Sequence, residues 1–360
     1  MPKRIIIAGG GTGGHIFPAV AVANAIKKLS PSTEILFVGA KGKMEMEKVP
    51  QAGYQIEGLD IAGFNRTALW KNISLPFKLI KSFLQVRRIF SRFQPDLVFG
   101  VGGYSSFPVL KYAQQQGIPT YLHEANSFAG KTNQLLGKNA RTVFVATPGM
   151  EKFFPADKIV VSGNPVRSNI VNCQLSKTDA ARFFGLDPER PILLSVGGSL
   201  GAKSINEAIA AGLDALQAAG IQLIWQTGKP FAETAKTATA NRKGIWVNDF
   251  IKEMEYAYAA ADALISRAGA MSIAEICVVH KPAVLVPYPF AAEDHQTVNA
   301  GYLVKEEAGI MVRDGEAAKQ LVATAIRLME DPAKRESMKK KLALLAIRDA
   351  DELIAKHLLQ

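Results

Sequence analysis

The chain has 360 residues, 48% of them hydrophobic, more than one core usually fills, so two domains are predicted. Lysine and arginine number 43 against 32 acidic residues, and the net charge of +11 favours anionic partners: nucleic acid, phosphorylated metabolites or an anionic membrane. The two cysteines, Cys173 and Cys277, form no closely spaced pair, which excludes a disulfide framework and a thiolate metal cluster. MPKRIIIAGGG lacks the long apolar segment of a signal peptide, and no run of about 18 uncharged apolar residues occurs anywhere. A cytoplasmic protein without a transmembrane helix is expected.

In chain order, the apolar run Arg4 to Ala8 reads as a strand entering Gly9-Gly10-Gly11-Thr12-Gly13-Gly14-His15, and Pro18 to Leu29 reads as a helix. Strand-like runs recur at Glu34 to Val38, Asp96 to Val101, Pro119 to Leu122, Thr142 to Val145 and Lys158 to Val161, mostly with helical stretches between. That alternation predicts an α/β domain with a parallel sheet. Near Pro191 the pattern restarts, since ILLSVGGSLGAKSINEAI repeats strand, glycine turn and helix. Strands are then expected at Ile221 to Trp225, Ile245 to Val247, Ala263 to Ile265, Ala283 to Val286 and Gly309 to Val312. The repeat predicts twin Rossmann-like domains, 1–162 and 163–345, joined near Gly163-Asn164-Pro165. From Glu316 onward the chain reads as helical, and the last segment, 346–360, is expected to return to the first domain.

Gly9, Gly11 and Gly14 satisfy G-x-G-x-x-G, so a dinucleotide-binding oxidoreductase has to be weighed. That reading needs an acidic residue after the second strand, yet Val38 leads into Gly39-Ala40-Lys41-Gly42-Lys43, which leaves only a 2′-phosphorylated dinucleotide open. The second loop, Gly197 to Ser204, has the wrong spacing for a P-loop; Ser199 on it either donates to a phosphate oxygen or simply closes a βα turn. His123-Glu124 is followed by Ser127 where a zinc helix needs His, and no D-x-D pair lies in a loop that would hold a divalent ion against a diphosphate, so no metal is expected. Gly102-Gly103-Tyr104-Ser105-Ser106 and His123-Glu124-Ala125-Asn126 both follow strands and lie at the same sheet edge as His15.

The stretch from Ala261 to Ala300 holds the densest chemistry. A strand at Ala263 to Ile265 passes through Ser266-Arg267-Ala268-Gly269 into a helix, where the amides of Ala270, Met271 and Ser272 form a cradle for a diphosphate. Glu275, about a turn further in, is placed to accept from a ribose diol, and Gln296 and Asn299 are placed to read sugar hydroxyls. A nucleotide-sugar site is one reading; an ordinary βα turn with Glu275 solvated is the other.

Taken together, GGGTGGHIFPA, GGYSSFP, HEANSFAGKTN, GNPVR, GGSLGAKSIN and SRAGAMSIAE followed by EDHQTVNA resemble the MurG family of bacterial N-acetylglucosaminyltransferases, over about Arg4 to Asn299. The resemblance implies a GT-B fold, with two Rossmann-like domains facing across a cleft, and an inverting hexosyl transfer without bound metal or cofactor. UDP-N-acetylglucosamine would be the donor. The 4-hydroxyl of lipid I, the lipid-linked N-acetylmuramyl-pentapeptide, would be the acceptor, giving lipid II for peptidoglycan. By motif, Thr12, Gly13, Gly14, Tyr104, Asn126, Arg167, Ser199 and Arg267 would line the donor, with Ile251 offering backbone groups to uracil. Ala270, Met271, Ser272, Ile273 and Ala274 would wrap the diphosphate, Glu275 would hold the ribose, and Gln296 and Asn299 the sugar. Ala125 stands where the family motif has Gln, and His295 where another Gln is common. A UDP-N-acetylglucosamine 2-epimerase of the same fold is the alternative enzyme. A non-enzymatic nucleic-acid binder is disfavoured by the lack of an aromatic-basic RNA signature.

His15 is the expected general base, because an inverting displacement must remove the acceptor hydroxyl's proton and an imidazole's ordinary pKa of about 6.5 suits that transfer. Glu124 is the rival, as base or as the group that orients an imidazole. A structural role for His15, capping its helix or bonding a loop carbonyl, stays open. Between Ile61 and Pro95 every charged residue is basic (Arg66, Lys71, Lys78, Lys81, Arg87, Arg88, Arg92), interleaved with Leu69, Trp70, Leu75, Phe77, Leu79, Ile80, Phe83 and Leu84. That composition predicts peripheral attachment to the anionic cytoplasmic face of the inner membrane, with other cell-wall synthesis proteins as further partners.

Overall fold

The computed structural model describes residues 2–63, 75–198, 200–291 and 294–360. The chain forms two compact units, residues 1–167 with 349–360, and residues 168–348.

The first unit is built on a parallel sheet of seven strands: β1 (Arg4–Ala8), β2 (Glu34–Ala40), β3 (Gln55–Leu59), β4 (Leu97–Gly100), β5 (Thr120–Glu124), β6 (Thr142–Val145) and β7 (Ile159–Val161). Their spatial order is β3-β2-β1-β4-β5-β6-β7. Helices cover both faces, so the central strands are apolar throughout rather than alternating. Ile6, Leu36, Val98 and Leu122 pack on one side with Leu110 and Leu136. Ile5, Ile7, Phe37 and Phe99 pack on the other with Val22 and Ile26. The last helix, Ala350–Leu359, lies against Gly13–Leu29 and buries Ile354, Ala355 and Leu358 in that second cluster. Lys3 Nζ donates to Leu358 O at 3.0 Å and locks its end.

Two local expectations change. The first helix starts at Gly13, with Pro18 inside it, rather than at Pro18. β3, whose sequence QIEGL mixes polar and apolar residues, is a strand the apolar-run criterion passes over, because an edge position half-covered by helices does not require a continuous apolar run.

The second unit repeats the plan with β8 (Ile192–Val196), β9 (Gln222–Gln226), β10 (Ile245–Asn248), β11 (Ala263–Ser266), β12 (Ala283–Leu285) and β13 (Ile310–Met311), all parallel, in the order β10-β9-β8-β11-β12-β13. Trp225 and Leu193 sit in its core with Ile205 and Leu321. In each unit the chain order reverses once beside the first strand, between β1 and β4 and between β8 and β11. The loops leaving the carboxyl ends of those strands therefore flank a crevice in each unit.

Candidate functional site

In the first unit the crevice is made of two glycine loops in backbone contact. Gly103 has φ of 82°, and a Cβ there would lie 2.6 Å from Gly10 O, so only glycine allows the loops to close on each other. His15 stands in the first turn of its helix, with Nδ1 3.1 Å from Gly10 O and 3.3 Å from Thr12 Oγ1. A carbonyl only accepts, so Nδ1 carries the proton, and in the neutral form of such a ring the lone pair is on Nε2. A Cβ on Gly102 would stand 3.1 Å from Nε2, so glycine at this position lets the ring pack close against the second loop. Tyr104 packs over Gly63, and its buried hydroxyl oxygen makes no hydrogen bond among the described residues. Burial, together with the charge of Glu45, raises its phenol above the usual range.

Glu124 ends β5 and is buried. Its Oε1 accepts from Asn126 N at 3.1 Å and Asn126 Nδ2 at 3.2 Å; Oε2 accepts from Gly130 N at 3.1 Å and Asn133 Nδ2 at 2.9 Å. Four donors converge on one carboxylate, which holds Asn126 and the following loop in place. Neighbouring His123 donates Nε2–H to Gly163 O at 3.1 Å, and burial pushes its imidazole down to about 4, so it is neutral at physiological pH. Arg167 lies with its guanidinium 5.5 Å from the centre of the Phe17 ring.

In the second unit the turn after β8 approaches the turn after β9. Gly201 has φ of 76°, and a Cβ on it would fall 2.1 Å from Thr227 O. Gln226, at the end of β9, donates to Gly198 O at 3.0 Å and accepts from Ile251 N at 3.0 Å, tying the glycine loop to the segment after β10. The Ile251 N–H is therefore engaged inside the protein. Ser199 lies outside the described residues.

The turn after β11 leads into the helix Ala270–Val279, whose N-cap, Gly269, supplies no side-chain hydrogen bond to its first amides. Met271, Ser272 and Ala274 are partly exposed, whereas Ile273 is buried on the inner face. Glu275 Oε2 accepts from Tyr258 Oη at 2.8 Å, which orients the carboxylate. Arg267 is held from several sides: Nη1 donates to Val286 O at 3.1 Å, Pro287 O at 3.2 Å and Asp314, and Nη2 to Ser204 Oγ at 3.2 Å. It braces the turn and the Pro287 loop. Asn299 is buried and donates to Ala268 O at 3.2 Å, so it also secures the turn; Gln296 Oε1 accepts from Tyr288 N at 2.9 Å at the mouth of the same loop. Among the described residues, no group of three or more His, Cys, Asp or Glu is arranged to hold a metal ion.

The structure thus gathers Thr12, Gly13, Gly14, His15, Tyr104, Glu124 and Asn126 at one sheet edge, and Arg267, Ala270 to Glu275, Gln296 and Asn299 at another. Sequence reasoning passed over Glu45 and Gln226, both of which tie site loops together. On the helix Leu75–Phe93, Phe77, Ile80 and Leu84 are 75%, 61% and 56% exposed, while Val86, Ile89 and Phe90 face the core. Arg66, Leu69, Trp70 and Lys71 lie outside the described residues. Lys81 pairs with Asp60 at 3.0 Å and Arg92 with Glu57, so two of the five described cations in the basic stretch are balanced by acids. Among the described residues, no helix is long and apolar enough to cross a membrane.

Residues 5–145 match the Glycosyltransferase family 28 N-terminal domain, and residues 192–354 match the Glycosyltransferase family 28 C-terminal domain. A Bacteroides fragilis protein named UDP-N-acetylglucosamine--N-acetylmuramyl-(pentapeptide) pyrophosphoryl-undecaprenol N-acetylglucosamine transferase is 50% identical over 99% of this chain and 95% of its own length. The Bacteroides thetaiotaomicron protein of the same name is 51% identical over 99% and 97%. Among solved structures, Acinetobacter baumannii MurG superposes with a TM-score of 0.81 at 29% identity, covering 99% of each chain. A UDP-N-acetylglucosamine 2-epimerase superposes with a TM-score of 0.68 at 15% identity, over 100% of this chain and 96% of the other, a likeness of fold alone.

Proposed function

Because the chain belongs to glycosyltransferase family 28, we infer that it transfers N-acetylglucosamine from UDP-N-acetylglucosamine to the 4-hydroxyl of lipid I, forming lipid II for peptidoglycan synthesis. The observation that carries this is the 50% identity, over almost the whole of both chains, to relatives named for that transfer. The epimerase likeness stops at fold, and a shared fold does not carry a reaction.

In the reading we favour, the first unit serves the acceptor and supplies the base, and the second holds the donor. His15 Nε2 takes the proton of the 4-hydroxyl as its oxygen attacks the anomeric carbon, the configuration inverts, and UDP leaves. The Nδ1 contact to Gly10 O supports this assignment, since it leaves the lone pair on the other nitrogen. The four hydrogen bonds on Glu124 support a positioning role for it, through Asn126. Negative charge growing on the diphosphate is met by the first amides of the helix Ala270–Val279, at its positive end. Glu275 accepts from the ribose, Gln296 contacts the sugar, and Arg267 and Asn299 keep the turn in shape. Thr12, Gly13, Gly14, Tyr104, Arg167, Ser199 and the Ile251 backbone complete the proposed donor contacts.

We assign the membrane attachment to the exposed stripe Phe77, Ile80 and Leu84, spaced to share one helix face. Lys78, Arg87 and Arg88 flank it without an ion pair among the described residues, and each adds about 1 kcal/mol on an anionic surface. On this reading the protein works at the cytoplasmic face of the inner membrane, near its lipid-linked acceptor. The deciding assay measures UDP release from UDP-N-acetylglucosamine with and without a soluble lipid I analogue. Acceptor-dependent release that persists in EDTA is expected; release or an epimerised sugar without acceptor would overturn the transferase reading.

A further inference from the structure

The second helix of the first unit opens with Glu45, a carboxylate 1% exposed, with no ion pair among the described residues. A buried charge of this kind needs hydrogen-bond partners, and it finds them in the backbone: Oε2 accepts from Gly11 N at 2.9 Å and Oε1 from Ala40 N at 3.0 Å. Room for it has been cleared. A Cβ on Gly10 would lie 2.4 Å from the Glu45 carboxyl carbon, and one on Gly39 would lie 2.5 Å from its Cγ. Gly39 has no positive φ, so its lack of a side chain is explained by Glu45 and not by the turn.

The Gly11 N–H that donates to Glu45 and the Gly10 carbonyl that faces His15 Nδ1 are the two ends of one peptide group. We propose that Glu45 is a positioning residue that acts on His15 through the Gly10–Gly11 peptide. The carboxylate pulls on the N–H and polarises the peptide, which makes Gly10 O a stronger acceptor and holds His15 as the Nδ1–H tautomer with its lone pair on Nε2. The arrangement does what an aspartate does when it bonds a catalytic imidazole directly, with a peptide interposed. It also fixes the plane of the ring, because Gly10 O is wedged between His15 and Gly103.

This proposal rests on the reading of His15 as the base, and two measurements keep the two apart. In the first, Glu45→Gln is assayed for turnover. The amide nitrogen must face either Gly11 N–H or Ala40 N–H, donor against donor, so kcat should fall about 10- to 100-fold, as when a partner of a first-contact residue is lost, while the donor KM stays near wild type. Glu45→Asp, which keeps the charge but withdraws it by about 1.5 Å, one C–C bond, should fall between the two. The second measurement does not involve catalysis. In protein labelled with ¹⁵N-histidine, only five imidazoles report, and wild-type His15 should show a protonated Nδ1 and an unprotonated Nε2. In Glu45→Gln the opposite tautomer should become populated. A wild-type His15 protonated at Nε2, an unchanged His15 pattern in Glu45→Gln, or an unchanged kcat would each overturn the proposal. If the Gln variant does not fold, the Asp variant is read in both experiments, and wild-type values for it overturn the proposal equally. A His15→Ala enzyme that keeps its kcat would instead remove the base assignment and leave the tautomer result standing.

Discussion

Glu124→Gln separates a base from an anchor, because at the same cost in stability the two roles predict different changes in kcat and donor KM. The substitution keeps the shape of the side chain but turns one oxygen into an NH2 group that faces two donors, whichever way it is placed: Asn126 N and Nδ2 on one side, Gly130 N and Asn133 Nδ2 on the other. Two hydrogen bonds to a charged acceptor are lost, at about 1.5–3 kcal/mol each, so a cost of about 3–6 kcal/mol is expected. For a unit of this size each kcal/mol moves Tm by about 2–4 °C, and even the lower figure predicts a drop of about 6–12 °C. Calorimetry or denaturant unfolding reads the stability, and the UDP-release assay reads kcat and KM on the same preparation. An anchor gives the drop in Tm, with kcat and donor KM both disturbed as Asn126 shifts. A base gives the same drop in Tm, since the hydrogen bonds are lost in either role, but a loss of about 10²- to 10⁴-fold in kcat with the donor KM near wild type. That second result, with His15→Ala retaining most of its kcat, would refute the assignment and move the base to Glu124.

His15→Ala should itself lower kcat by about 10²- to 10⁴-fold with donor affinity little changed, as equilibrium binding of UDP-N-acetylglucosamine would report. Glu275→Ala should raise the donor KM more than it lowers kcat, because bonds to a ribose are the same in ground and transition states; an unchanged KM would remove Glu275 from the site. Vesicle flotation at low salt should favour anionic over neutral vesicles, and Phe77→Ser with Ile80→Ser should weaken binding to both. Equal binding to the two vesicle types would count against the contribution of Lys78, Arg87 and Arg88.

The amino-acid sequence alone determines the twin α/β plan of this protein. Apolar runs of strand length, each followed by glycines and a helical stretch, are local signals that extend over a dozen residues, and a parallel sheet covered on both faces requires such runs. The glycine turns after β1, β4, β8 and β11 were legible for the same reason, as was the cradle ahead of the helix Ala270–Val279. What the tertiary structure decided is which polar side chains are available for chemistry. Glu45 lies in KGKMEMEKVP, where it reads as a solvated helix residue, and only the pairing of β1 with β2 carries it beneath the Gly10–Gly11 peptide. Arg267 and Asn299 read as ligand contacts from their own segments, and the protein groups that also engage them, Asp314 and Ala268 O, come from other elements. Glu124 ends its strand beside His123, and only the fold of the following loop brings Asn133, nine residues further on, onto its carboxylate. Hydrophobic periodicity can be read along a chain because each residue carries its own share of it. Hydrogen-bond satisfaction belongs to pairs of groups, and it is decided only when distant segments meet.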